Sequence, residues 1–116
     1  MPRIDEQAVK NAFAEFACMS PDCCDLYITA AMDLTKRMIK DELADIQIRD
    51  VRLENLCAAI ALLKWKKAQY RWDAECSDVS DYYGTDIDYA LMLVKEYVSL
   101  CKGVLKTGYY EDFILI

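Results

Sequence analysis

The feature that most constrains this chain is a run of eight consecutive apolar residues, LCAAIALL at positions 56–63. A surface helix keeps a single apolar stripe, whereas a helix that is apolar on every side has to be covered on every side. Eight residues fall far short of the roughly 18 needed to cross a bilayer. The run therefore predicts a buried central helix, with residues 50–75 (DVRLENLCAAIALLKWKKAQYRWDAE) as the post around which other helices wrap. Ala58, Ala59 and Ala61 leave little side chain between axes, so neighbours can approach closely. Beyond residue 63 the character changes. Lys64, Lys66, Lys67 and Arg71 alternate with Trp65, Tyr70 and Trp72, so this second half is expected to be amphipathic and to project from the core.

The rest of the chain is consistent with a helical wrapping. Its 116 residues suit one domain, residues 1–116, and a 55% hydrophobic content supplies a core. Three glycines and two prolines are too few for a many-turned β architecture. Residues 5–17 predict a first helix, with Asp5 and Glu6 at the end where negative charge suits the dipole and Val9, Phe13 and Phe16 or Ala17 facing inward. Ser20-Pro21 is a start signal for a second helix over 21–43, with Tyr27, Ala31, Leu34 and Met38 on its buried face. In that helix Asp33 and Arg37 stand at the favourable i,i+4 spacing. Residues 44–51 (ADIQIRDV) read as a connector that ends on Asp50, the cap of the central helix. SDVSDYYGT at 77–85 predicts a polar acidic loop, closed by a Thr85/Asp88 capping pair. A last helix follows over 86–106. Ile87, Leu91, Val94, Val98, Cys101 and Leu105 form one row on it, and Ala90, Leu93, Tyr97, Leu100 and Val104 an adjoining one. Lys95, Ser99, Lys102 and Lys106 form its polar back. Gly103 marks close packing or an early end there, and Gly108 a stop. The tail YYEDFILI at 109–116 is strand-like in propensity, and a lone strand must fold back or pair with another chain. The expected fold class is therefore all-α: a four-helix bundle-like domain with a long central helix and a short strand-like C-terminal tail.

Charge and cysteines narrow the chemistry. A net charge of −6 and a pI near 4.6 disfavour a general nucleic-acid binder. MPRIDEQAVK has no apolar run of signal-peptide length, which predicts a chain that stays in the cytoplasm, with its six cysteines as reduced thiols. Cys18, Cys23 and Cys24 cluster at a helix start, where thiol pKa falls, and a thiol-based sensor or metal module is the sharp reading of that cluster. The spacing C-x4-C-C is not that of zinc pairs, however, and the chain has no histidine to complete a site or to serve as a cysteine's base. Cys57 and Cys101 fall on apolar faces and read as core. Asp78, Asp81, Asp86 and Asp88 lack the order of a calcium loop and read as solvated acids. No phosphate loop, H-E-x-x-H or G-x-S-x-G occurs. The sequence thus predicts no enzyme, no catalytic residue, no cofactor and no metal. Lys64, Lys67 and Arg71 share a helix face near Trp65 and Trp72. That pattern can hold nucleic acid, but in an acidic chain it reads first as a face whose long stems shield apolar surface. It also reads as a protein interface, because Trp, Tyr and Arg are common anchors.

The order of features resembles small head–tail connector proteins of tailed phages and of prophages in Gram-positive bacteria. The resemblance is carried by FAEFACMSPDCCDLYITAAM at 13–32, by the alanine-rich RLENLCAAIALLKWKKAQ at 52–69, and by the last helix with YYEDFILI. It spans most of the chain and rests on order and composition. The acidic 77–85 segment and the cysteine content depart from the pattern. The resemblance implies a non-enzymatic structural protein that forms a homo-oligomeric ring on assembly and docks portal and neck or tail proteins. It implies residence in the host cytoplasm during assembly and then in the virion neck, with no membrane and only passive contact with packaged DNA. The interface expected on this reading comprises Trp65, Tyr70 and Trp72 on the central helix and Tyr109, Tyr110, Phe113, Ile114, Leu115 and Ile116 in the tail. The rival expectation is a cytoplasmic helical adaptor or regulatory protein that binds one protein partner.

Overall fold

A computed structural model of the chain describes residues 2–18, 20, 24–76 and 80–114, and the side chains of these outside 70–86. Among the described residues there are five α-helices and no strand: α1 (Glu6–Ala17), α2 (Asp25–Arg37), α3 (Val51–Cys76), α4 (Ser80–Leu100) and α5 (Glu111–Ile114), with a 3-10 turn at Asp41–Leu43. The fold is all-α with a long central helix.

That helix is α3, and its 26 residues extend about 39 Å at the usual rise. Every residue from Leu56 to Leu63 is at most 2% exposed, so the apolar run is covered on all sides as its composition requires. α4 packs along α3 most extensively, and α1 and α2 cover its other flanks while barely touching each other. The core is thus a sheath around one rod. Leu53, Leu56, Ile60, Leu62 and Leu63 are all buried on the rod, each stabilising by roughly 1.5–3 kcal/mol relative to exposure.

Local signals set the helix ends. Asp5 caps α1, its side chain accepting from the Gln7 N–H at 3.1 Å. α1 stops at Cys18, which adopts a left-handed conformation (φ 56°) and returns its N–H to the Ala14 carbonyl. Asp50 caps α3 by accepting from the Arg52 N–H at 3.0 Å. The 44–51 connector runs beside the N-terminus: the Arg3 N–H donates to the Ile48 carbonyl at 3.1 Å and the Asp50 N–H to the Arg3 carbonyl at 3.3 Å.

Several sequence expectations are corrected. α2 is shorter than residues 21–43. It begins at Asp25 behind Cys24 and ends at Arg37, and Pro21 lies outside the described residues. Its buried face is wider than expected, since Ile28, Met32 and Thr35 join Ala31 and Leu34. Thr35 is accommodated by donating its hydroxyl to the Ala31 carbonyl at 2.9 Å. Arg37 Nε donates to the Asp33 backbone carbonyl at 3.4 Å, not to the Asp33 carboxylate. α4 starts at Ser80, so residues 80–85 are helical and not loop, and Thr85 does not begin the helix. At the other end α4 stops at Leu100, and Gly103 lies in the following turn, where an added Cβ would meet nothing within 4 Å. Gly103 therefore marks an early end and not a close approach. The described part of the tail is no strand: residues Glu111–Ile114 form a helical turn, with Phe113 only 1% exposed against this chain's own core. Burying Phe113 anchors the described part of the tail on this chain's own core.

Candidate functional site

The expected interface divides between core and surface. On α3, Trp65 is half-buried and meets Phe13 of α1 edge to face, with ring centroids 6.1 Å apart. Lys66 Nζ lies 4.4 Å from the Trp65 ring centre, a cation–π contact. Trp65 therefore closes the core near the middle of the rod and does not project as an anchor. The side chains of Tyr70 and Trp72 lie outside the described residues, as do Leu115 and Ile116. Phe113 is buried and Ile114 packs against the core, its carbonyl accepting from Lys67 Nζ at 3.2 Å. Tyr110 is half-buried beneath Lys95 Nζ, 4.4 Å from its ring. Of the described residues in the expected interface, Tyr109 alone stands well out in solvent, at 72% exposure.

The lysines of α3 thus have intramolecular tasks. Lys66 covers an indole and Lys67 ties down the tail. Lys64 is held below the usual lysine range by its burial and by the nearby Arg37 guanidinium. The Arg71 side chain lies outside the described residues. Long stems over apolar surface account for Lys64, Lys66 and Lys67.

An apolar stripe unremarked in the sequence lies on the outer side of α4. Tyr89, Met92 and Leu100 are all exposed. Steps of three and eight residues bring them to one face of a 3.6-residue helix, with Glu96 between them. Leu100, expected in the second buried row, belongs to this outer face. Arg52 Nη1 donates to the Leu100 carbonyl at 3.1 Å, so the stripe ends where α3 begins, beside exposed Val51.

A buried ionic cluster also went unread in the sequence. The Glu54 side chain is 2% exposed, while its partner Arg49 is 43% exposed. Arg49 Nε donates to both Glu54 oxygens, at 2.7 and 2.9 Å, and the Asp5 N–H donates to Oε2 at 2.8 Å. The hydrogen bonds and the carboxylate's charge hold the Arg49 guanidinium above its ordinary pKa. This cluster knots the connector, the start of α1 and the first turn of α3 together. Its signal in the sequence was positional: Glu54 shares a face with Ala58 and Ala61 on a helix that is wrapped all round.

The thiols are mostly core. Cys24, Cys57 and Cys101 are buried and Cys18 is exposed; none of these four is in a disulfide. Burial pushes the Cys57 thiol up to about 12 and that of Cys101 to about 11, so both stay protonated at neutral pH. Cys23 lies outside the described residues. Among the described residues no group of three or more histidine, cysteine, aspartate or glutamate side chains is placed to hold a metal ion. No described helix is long and apolar enough to cross a membrane.

One cavity of about 330 Å³ opens at the end of α2, beside the segment that follows α4. The segments following them are zipped together: the Lys40 N–H donates to the Val104 carbonyl at 3.0 Å and the Lys106 N–H to the Met38 carbonyl at 2.7 Å. Buried Ile39 and exposed Ala44 give the cavity its apolar lining, and Lys36, Arg37, Lys40 and Lys106 stand around it with Asp41. The chain matches no protein-family model, no curated protein and no solved structure.

Proposed function

We propose that this protein is a non-enzymatic structural component of the head–tail connector type, which works by assembling into a ring and docking portal and neck or tail proteins. The observation that carries this reading is the outward stripe of Tyr89, Met92 and Leu100 on α4. A rod sheathed by helices gives a stiff mount, and an exposed apolar row on such a mount marks a protein contact more readily than a small-molecule site. The resemblance at 13–32 and 52–69 supplies the kind of partner. Of the tail's described residues, Tyr109 is the one left for docking, because Phe113 is occupied internally.

The test is to incubate the protein with a purified portal ring of the related phage type and to view the mixture by electron microscopy. Added density on the portal, lost when Tyr89 and Met92 are changed to serine, is the expected result. Absence of density with the unaltered protein refutes the reading. The same stripe also suits an adaptor that grips a single partner, and a one-to-one complex with a protein that is not a virion component would favour that alternative.

A further inference from the structure

The basic cavity and the acidic tail carry unspent charges of opposite sign. Lys36, Arg37, Lys40 and Lys106 are four of the chain's 14 cations, gathered at one cavity of a protein whose net charge is −6. Among the described residues only Lys106 there has an ion pair, 3.4 Å from Asp41. Glu111 and Asp112 are adjacent and exposed on α5, beside exposed Tyr109, and neither has an ion pair within the described residues. Among the described residues Lys36, Arg37 and Lys40 on the one side, and Glu111 and Asp112 on the other, thus have no ion pair, and the two groups are of opposite sign.

We infer that the cavity of one copy receives residues 109–112 of a second copy, an inference that rests on the ring-forming reading above. The chemistry of the two surfaces corresponds. The Tyr109 ring suits an apolar lining of Ile39 and Ala44, and the two carboxylates meet the rim cations, among them an arginine able to form a bidentate pair. Cavity and tail are different surfaces, so the contact is head to tail. Such contacts build rings when the rotation between copies closes. A four-residue insertion buries much less area than stable interfaces require. The contact is accordingly weak, sensitive to salt, and suited to copies already lined up on a template.

Sedimentation of the full chain at millimolar concentration and low salt tests this, with far-UV circular dichroism as the control for folding. The wild type is expected to self-associate and to dissociate as salt rises. K36E/K40E and E111K/D112K are each expected to weaken association by about tenfold or more through like-charge repulsion. Mixing these two variants, or joining all four changes in one chain, restores the charge match and is expected to recover association. A wild type that stays monomeric overturns the inference, and so do reversals without effect or a fourfold variant that fails to recover. Binding of inorganic pyrophosphate to the cavity with no self-association would assign it to a small anion and also overturn the inference. If the reversed variants still coat a portal ring as the wild type does, this contact falls while the connector reading stands. If the wild type does not bind the portal, the connector reading falls on its own test.

Discussion

Truncating Glu54 offers a discriminating test of how this fold is tied together. Glu54→Ala removes an acceptor that serves Arg49 Nε and the Asp5 N–H at 2.7–2.9 Å. Hydrogen bonds to charged groups contribute about 1.5–3 kcal/mol each, and a stranded buried donor costs about 1–3 kcal/mol. Against this, the variant no longer holds a carboxylate out of water, and the Arg49 side chain is open enough to rehydrate. The balance is a loss of about 2–3 kcal/mol. Glu54→Gln keeps an oxygen for the Asp5 N–H and is expected to lose about half as much. Arg49→Ala is the asymmetric case, because it leaves a buried charge with a single N–H. It is expected to cost more than Glu54→Ala although Arg49 is the more exposed partner. Adding Glu54→Ala to Arg49→Ala should then return stability, since the stranded charge is gone. Urea unfolding followed by circular dichroism at neutral pH reads all four chains. If Arg49→Ala proves milder than Glu54→Ala, or if the double variant is the least stable of the four, then burial of the carboxylate is not what governs this cluster.

Three further outcomes follow from the geometry. Phe113→Ala is expected to lower unfolding free energy by about 3–5 kcal/mol, as for other buried phenylalanines, and removal of residues 113–116 to do at least as much; retention of full stability in either chain would place the tail outside the core. Cys18 holds the left-handed end of α1, so Cys18→Gly is expected to raise the urea midpoint by an amount equivalent to about 0.5–1 kcal/mol; a drop would mean that the cysteine's own contacts outweigh the backbone strain. Burial pushes the Asp50 carboxyl up, but hydrogen bonds from Arg52 and its nearby charge hold it below the ordinary carboxylate value. The folded pKa being the lower one, Asp50 stabilises fully above about pH 4 and loses that contribution as pH falls through its folded value. Asp50→Asn keeps a capping side chain and should flatten this part of the acid limb of stability against pH; an unchanged limb would sink the assignment.

What could be read in advance followed from whether the deciding interaction was local. Residues 56–63 announced their burial because no other fate suits an all-apolar helix, and Asp50 was legible as a cap because a cap acts within three residues, whereas Asp5 was legible only as an acid suited to the start of α1. Cys57 and Cys101 could be placed in the core by periodicity alone. The tail misled because its β propensity is a weak preference, and a cavity for one phenylalanine outweighed it. The early start of α4 was hidden by polar residues that read as loop although they sit on a helix. The stripe of Tyr89, Met92 and Leu100 was obscured by two stronger rows on the same helix. Glu54 with the Asp5 N–H, and the cavity at Lys40 and Lys106, depend on residues far apart in sequence meeting in space, which no window along the chain contains.

The arrangement of helices around α3 also bears on how the molecule comes apart. α1, α2 and α4 each lean chiefly on the rod and little on one another. Peeling any one of them away wets the same alanine- and leucine-rich surface, so no partial structure retains a dry interior. Amide protons of residues 56–63 should then exchange with solvent only when the entire chain opens, at one shared free energy, and fragments lacking a single sheath helix should collapse or aggregate instead of persisting as smaller folds.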